Sequence, residues 1–410
     1  MGTGVSPYAV GVMLTALAVG TVGCWWLIRH APRLGLVDHP VGRKDHERPT
    51  PVVGGISVFA AICCGWGLLP GFTLGSSASG LLLGSGMLIV VGVLDDLRDL
   101  KWHVRILVQG GAALTICWFG AELHSLSLPD ARPALPLGWA SMAFTAFAVV
   151  GIINAVNMID GVDGLAGSIV AATLVMMAAL AFWSGLPLLG CLLLVATAAI
   201  ASYLIFNLRM PGRPKALTFL GNSGSAMLGL LVAWSAIELT QSPSARVTPS
   251  VAPWLVGLPI LDCLTLIGRR LAGGRSPFSA DRMHFHHLLL DRGFSVPRVV
   301  VAGLVVAQGE EASVRTLMIA ASILVVGRPI SQSADPDLAA REIERHPLDR
   351  AHRSVAGDVV DAQPAHRQDG IVVRGWVTHG RSPPGSSGTR ARRRRARTPA
   401  RPAPVAAAGW

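Results

Sequence analysis

Long apolar runs separated by short polar stretches are the dominant pattern along this chain. Runs of roughly 20 apolar residues, enough for a helix to cross a bilayer, fall near 8–28, 52–73, 75–94, 104–120, 138–156, 165–184, 186–206, 218–239 and 251–267. Two weaker runs, near 296–308 and 316–327, are too short to cross upright. The runs are continuous rather than alternating residue by residue, so helices are predicted and a barrel is not. The expected fold is an all-α polytopic membrane protein with about nine clear transmembrane helices and one or two doubtful ones. No basic residue precedes the first run and no convincing cleavage site follows it, so that helix is expected to be retained.

Composition agrees with this pattern. Of 410 residues, 51% are hydrophobic and 14% charged, and the mean hydropathy is +0.51. A soluble globular domain is excluded. All six cysteines lie in or beside apolar runs, which is core usage, with neither a disulfide framework nor zinc spacing. The net charge of +11 resembles a nucleic-acid signal until it is located. Much of it sits in the C-terminal segment and in alternate loops, so no nucleic-acid partner is expected.

Loops after the first, third, fifth, seventh and ninth runs must share one side. With their flanks they hold Arg29, Arg33, Arg98, Lys101, Arg209, Arg213, Arg269 and Arg270 among others, whereas the remaining loops hold Arg132 and Arg246. That asymmetry predicts a cytoplasmic side for the basic loops and an outside N-terminus. The polar stretches follow the same parity: "DHPVGRKDHERPTPVVGG" from 38, "LDDLRDLKWHVR" from 94, "NAVNMIDGVDG" from 154, "FNLRMPGRPKALTFLGNSGS" from 206 and "GRRLAGGRSPFSADRMHFHH" from 268. They are expected to converge on a single site.

Asp95 and Asp96 end one apolar run, with Asp99 one turn on. Clustered carboxylates repel unless a cation neutralises them, and oxygen ligands completed by phosphates suit Mg²⁺, with Mn²⁺ as the alternative. The plain alternative is a solvated helix end paired with Arg98 and Lys101. Asn154, Asn157, Asp160 and Asp163 recur at intervals of three, one face of a helical turn. Here the alternative is that Asp160 caps the following helix. Arg275, Arg282, His284, His286 and His287 offer phosphate or metal contacts. Zinc is disfavoured because neither Cys nor an HExxH pattern accompanies them. Glycine-rich starts at Gly54–Gly55 and Gly221–Ser225 suit anions or close helix packing. Together these types fit a reaction between a phosphorylated lipid and a soluble phosphorylated compound.

Those five ordered motifs, over about residues 30 to 296, resemble the polyprenyl-phosphate N-acetylhexosamine-1-phosphate transferase family (glycosyltransferase family 4). The branch that "SPFSADRMHFHHLLLDRGF" looks like is the undecaprenyl-phosphate N-acetylglucosaminyl-1-phosphate transferases. The related pentapeptide transferases show three consecutive histidines, whereas Phe285 interrupts the run here. The resemblance implies transfer of N-acetylglucosamine 1-phosphate from UDP-N-acetylglucosamine to an undecaprenyl or decaprenyl phosphate, with UMP released and Mg²⁺ required. It further implies a multi-pass bacterial plasma-membrane enzyme with a cytoplasmic active site, membrane lipids around it and a homodimer as an open expectation. By the same resemblance Asp95, Asp96 and Asp160 are catalytic, Asp95 being the preferred base. Asp95, Asp96, Asn157 and Asn222 would bind metal. Lys44, His46, Arg48, Asn154, Asp163, Asn207, Phe219, Arg282, His284, His286 and His287 would bind substrate, Phe219 by stacking on uracil. The implied organisation is a transferase domain over 1–295, with catalytic loops 29–51, 95–104, 154–164, 207–225 and 268–295. Doubtful spans over 296–328 and a disordered basic tail over 329–410 would follow.

Two departures stand out. The family carries a metal-binding aspartate where this chain has Asn222, which keeps an oxygen and loses the charge, so weaker Mg²⁺ binding is expected. "VVAQGEEASVR" interrupts the first terminal run, and beyond residue 328 the chain turns Arg-, Ala-, Pro- and Ser-rich and cannot bury enough apolar surface to fold alone. A native lipid-gripping tail and a reading-frame change near residue 307 both explain this, the second being preferred. The rival functions are a weakly active lipid- and nucleotide-binding homologue, pentapeptide transferase-like specificity and a transporter. A transporter is disfavoured because the acids gather at one edge rather than mid-membrane.

Overall fold

The computed structural model describes residues 6–38, 49–98, 100–126, 135–244, 246–249, 255–274, 276 and 284–308. All lie in the first of two compact units, Met1–Pro329. The weak run near 316–327 and the tail from 329 lie outside the described residues.

Each of the nine strong apolar runs contains a helix: α1 (Pro7–Leu34), α2 (Gly54–Leu68), α3 (Ser77–Arg98), α4 (Trp102–Trp118), α5 (Ser141–Ile159), α6 (Leu165–Trp183), α7 (Pro187–Asn207), α8 (Gly221–Gln241) and α9 (Gly257–Ala272). The short α10 (Phe285–Asp291) and α11 (Val296–Gln308) follow. Among the described residues six helices suit a bilayer crossing by length and apolarity: α1, α3, α5 with its preceding turn, α6, α7 and α8. The others are shorter; α2 stops after 15 residues as the chain meets Leu69 and Pro70. Two antiparallel ladders of two residues per strand also form, β1 (Val37–Asp38) on β2 (Thr50–Pro51) and β3 (Ser125–Leu126) on β4 (Leu135–Pro136).

Local chemistry sets the ends. Ser6 caps α1 by accepting from Ala9 N–H at 3.2 Å, and Pro7 occupies a first-turn position where no N–H partner is needed. The bundle is built around α8, where every residue from Ser223 to Ile237 is buried. A helix covered all round needs small residues wherever a neighbouring backbone comes close. Gly224 meets Gly55 of α2 backbone to backbone, Ser223 meets Gly92 of α3, and Gly229 meets Ile153 of α5. Trp234 closes the far end, donating from Nε1 to Ser77 Oγ at 2.7 Å, which donates in turn to Glu238 at 2.5 Å. Outward faces carry Leu14, Val90, Leu107, Phe147 and Val301, all exposed, as a lipid-facing surface requires.

Candidate active site

The polar stretches meet at one end of the bundle, around a cavity of about 1110 Å³. That volume is ample for a nucleotide-sized ligand, since small-molecule sites run to roughly 1,000 Å³. Asp95 and Asp96 at the end of α3, Asn157 and Asp160 at the end of α5, the 161–163 turn, Asn207, the 209–217 loop, Phe219–Asn222 and His287 of α10 all line it. Asp38 and residues 49–52 line it as well, so each of the five loops contributes through its described residues.

The two neighbouring aspartates are held differently. Asp95 is 4% exposed, accepts from Leu100 N–H at 2.8 Å and pairs with Arg105 at 3.3 Å. Its carboxylate braces the corner between α3 and α4. Arg105, rather than Arg98 or Lys101, is its partner, and Asp99 lies outside the described residues. Asp96 accepts from the Asn222 backbone N–H at 3.1 Å, while its Oδ2 is buried without a hydrogen-bond partner. The positive end of α8 thus faces a carboxylate of the protein itself. Gly221 makes this approach open: its φ is +77°, and a Cβ there would stand 2.6 Å from Asp96 Oδ2. The other glycine start behaves differently. Gly54 and Gly55 donate to the Phe219 and Leu220 carbonyls at 3.0 Å, so they lace α2 to the entry of α8.

Asp160 ends α5 and does not cap α6, whose start is Gly164 at φ +81° without a side-chain cap. Burial, followed by the charges of Asp163 and Asp96, pushes the Asp160 carboxyl up to about 7. Asp163 pairs with Arg209 at 2.7 Å and accepts from Ala216 N–H at 3.3 Å, tying the acidic turn to the basic loop. Arg213 and Lys215 of that loop also line the cavity. Asn207 lies at the wall, but its amide is engaged within the protein. Its Oδ1 accepts from Gly164 N–H at 2.6 Å and its Nδ2 donates to the Thr218 carbonyl at 2.8 Å. Phe219 is partly exposed on the wall.

Asn154 is not brought to the cavity. It faces α4, where its Nδ2 donates to Gln109 Oε1 at 2.7 Å. His284 pairs with Asp262 at 2.9 Å. His286 is 1% exposed, and both its ring nitrogens lack hydrogen-bond partners. Burial first, and then His287 and His284 nearby, push it down to about 3. It rests against Gly161, where a Cβ would collide with its Nε2. Lys44, His46, Arg48, Arg275 and Arg282 lie outside the described residues.

Several residues of this region are not among the site residues named from sequence, including Asp38, Arg213 and Lys215 on the cavity wall, Arg105, Gln109 and Asp262. A lone acid inside the apolar helix "GLPILDCLTLIG" was a usable signal for Asp262, because ionisable groups in such helices are costly to place. Among the described residues no three His, Cys, Asp or Glu side chains lie close enough to hold an ion alone. The unpartnered Asp96 oxygen nevertheless fits a hard divalent cation whose shell is completed by amide oxygens, phosphates and water.

A family model described as glycosyl transferase family 4 matches residues 78–240. The undecaprenyl-phosphate alpha-N-acetylglucosaminyl 1-phosphate transferase of Escherichia coli (strain K12) is 36% identical over 266 residues, covering 65% of this chain and 72% of the relative. The proteins of that name from Salmonella typhi and Haemophilus influenzae are 35% and 31% identical over 293 residues, covering 70% of this chain and 78% of each relative. The chain belongs to glycosyl transferase family 4.

Proposed function

We propose that the chain transfers N-acetylglucosamine 1-phosphate from UDP-N-acetylglucosamine to an undecaprenyl or decaprenyl phosphate, releasing UMP in the first membrane step of a cell-envelope glycan. The observation that carries this reading is a cavity where helix-end carboxylates face an Arg- and Lys-bearing loop at the edge of an apolar bundle. The names of the relatives support the same donor sugar and lipid. The basic loops on the cavity side support a cytoplasmic site, nine crossings and an outside N-terminus.

In the reaction an oxygen of the lipid phosphate attacks the sugar-bearing phosphorus. The bond from that phosphorus to the oxygen of the UMP phosphate breaks, and UMP leaves with the electron pair. Arg213 and Lys215 neutralise the diphosphate, Phe219 takes the uracil face, and His287 of α10 takes the sugar end. A carboxyl near 7 at Asp160 suits acceptance of the lipid phosphate proton at neutral pH. Asp95, the base preferred from sequence, is engaged by Arg105 and Leu100, so here it orients the corner instead. Asp96, Asn157 and Asn222 would hold a Mg²⁺ or Mn²⁺ ion, which when bound supplies charge neutralisation at the diphosphate.

One observation favours a second reading, a binding homologue of low turnover: Asn222, without charge, stands beside Asp96. Detergent-purified protein incubated with labelled UDP-N-acetylglucosamine, Mg²⁺ and undecaprenyl phosphate separates the two. Labelled lipid with stoichiometric UMP supports the transferase, whereas binding without UMP supports the alternative.

A further inference from the structure

We infer, on the transferase reading above, that Asp262 is a positioning residue that sets the histidines of α10 against the acidic turn. Asp262 stands on α9 with a side chain 7% exposed, and each of its oxygens is engaged. Its Oδ2 meets His284 Nδ1 at 2.9 Å, and its Oδ1 accepts from Phe285 N–H at 2.8 Å. A single carboxylate thereby fixes both the ring and the backbone at the start of α10. From His284 the order passes through adjacent rings, the first pair stacked and the second tilted by 45°. His286 lies 5.4 Å from it with planes 9° apart, and His287 lies 4.3 Å from His286. His286 seats on Gly161, next to Asp160, while His287 reaches the cavity wall. His286 has no hydrogen bond of its own to hold it, so its placement depends on this stack and the glycine beneath it. Loss of the Asp262 contact leaves α10 attached but frees the rings to turn, which weakens sugar binding more than it slows chemistry.

The test compares wild type, Asp262→Asn, His284→Gln and the double variant for UMP release and for thermal melting. The expected result is a KM for UDP-N-acetylglucosamine raised about tenfold in each single variant, a smaller fall in kcat, and a double variant no worse than either single one. Multiplying effects in the double variant, or a kcat loss at unchanged KM, would overturn the inference. Diethylpyrocarbonate labelling followed by mass spectrometry reads the same point without turnover. His286 and His287 should react severalfold faster in either single variant while the exposed His124 stays constant, and unchanged rates would also overturn it. A wild type that releases no UMP counts against the transferase reading alone, because the labelling result still decides whether Asp262 positions the rings.

Discussion

Protonation at Asp160 and His286 acts in opposite directions across the acid range. The Asp160 carboxyl titrates near 7 when folded against an ordinary value of 3.8, so the folded state holds its proton more tightly. Its stabilising contribution is full below about pH 4 and is lost as pH rises through about 7. His286 titrates near 3 when folded against 6.5, so the unfolded state binds more protons between those values, and stability falls as pH drops below about 6.5. Melting temperatures in metal-free buffer should therefore diverge. Relative to Asp160→Asn, wild type should lose stability between pH 4 and 7; relative to His286→Asn, it should gain between pH 3 and 6.5. Parallel curves would contradict both assignments. Asn222→Asp places a second charge beside Asp96, and the Mg²⁺ concentration for half-maximal turnover should fall severalfold. A metal titration giving equal midpoints would retire that role for position 222. At this scale the sequence made residue types legible but not their partners. That Asp95 meets Arg105 while Asp96 keeps an oxygen bare depends on which helix end arrives opposite, and α8 comes from more than a hundred positions further along.

Between elements, contacts rest on backbone approaches that tolerate no side chain. Gly224→Ala would drive a methyl group into the Gly55 backbone across the α2–α8 crossing, where the Leu220 side chain crowds the same space. A loss of about 1–3 kcal/mol is expected, read as a lower melting temperature in detergent; an unchanged melt would refute the close crossing. Asn207→Ala leaves the Gly164 N–H and the Thr218 carbonyl without their partner, again costing about 1–3 kcal/mol. Helix positions were readable because long apolar runs have few other solutions in a bilayer. Helix ends were less so. The run from 52 loses its last residues to a turn at Leu69, and the polar spacing of Asn154 to Asp163 suggested one face. The chain instead leaves α5 after Ile159, so Asp160 and Asp163 reach the cavity from a turn, whereas Asn154, still inside the helix, faces Gln109. Spacing along a helix holds only as far as the helix continues.

For the whole molecule, loops far apart along the chain form one cavity at one end of the bundle, opposite the end closed by Trp234, Ser77 and Glu238. Loop parity made that convergence legible, since alternate crossings return the chain to the same side. The occupant's orientation was not legible, because it depends on how the basic loop at 209–217 and α10 fold over the carboxylates. The most direct test labels single cysteines in a background where the six native ones are replaced, using an impermeant maleimide on oriented vesicles. Lys101→Cys, Pro211→Cys and Arg292→Cys should react from the cytoplasmic side, with Pro211→Cys protected by UDP-N-acetylglucosamine, while Leu74→Cys and Ser244→Cys react from the other side. Labelling of the first three from opposite sides of the membrane would contradict the account.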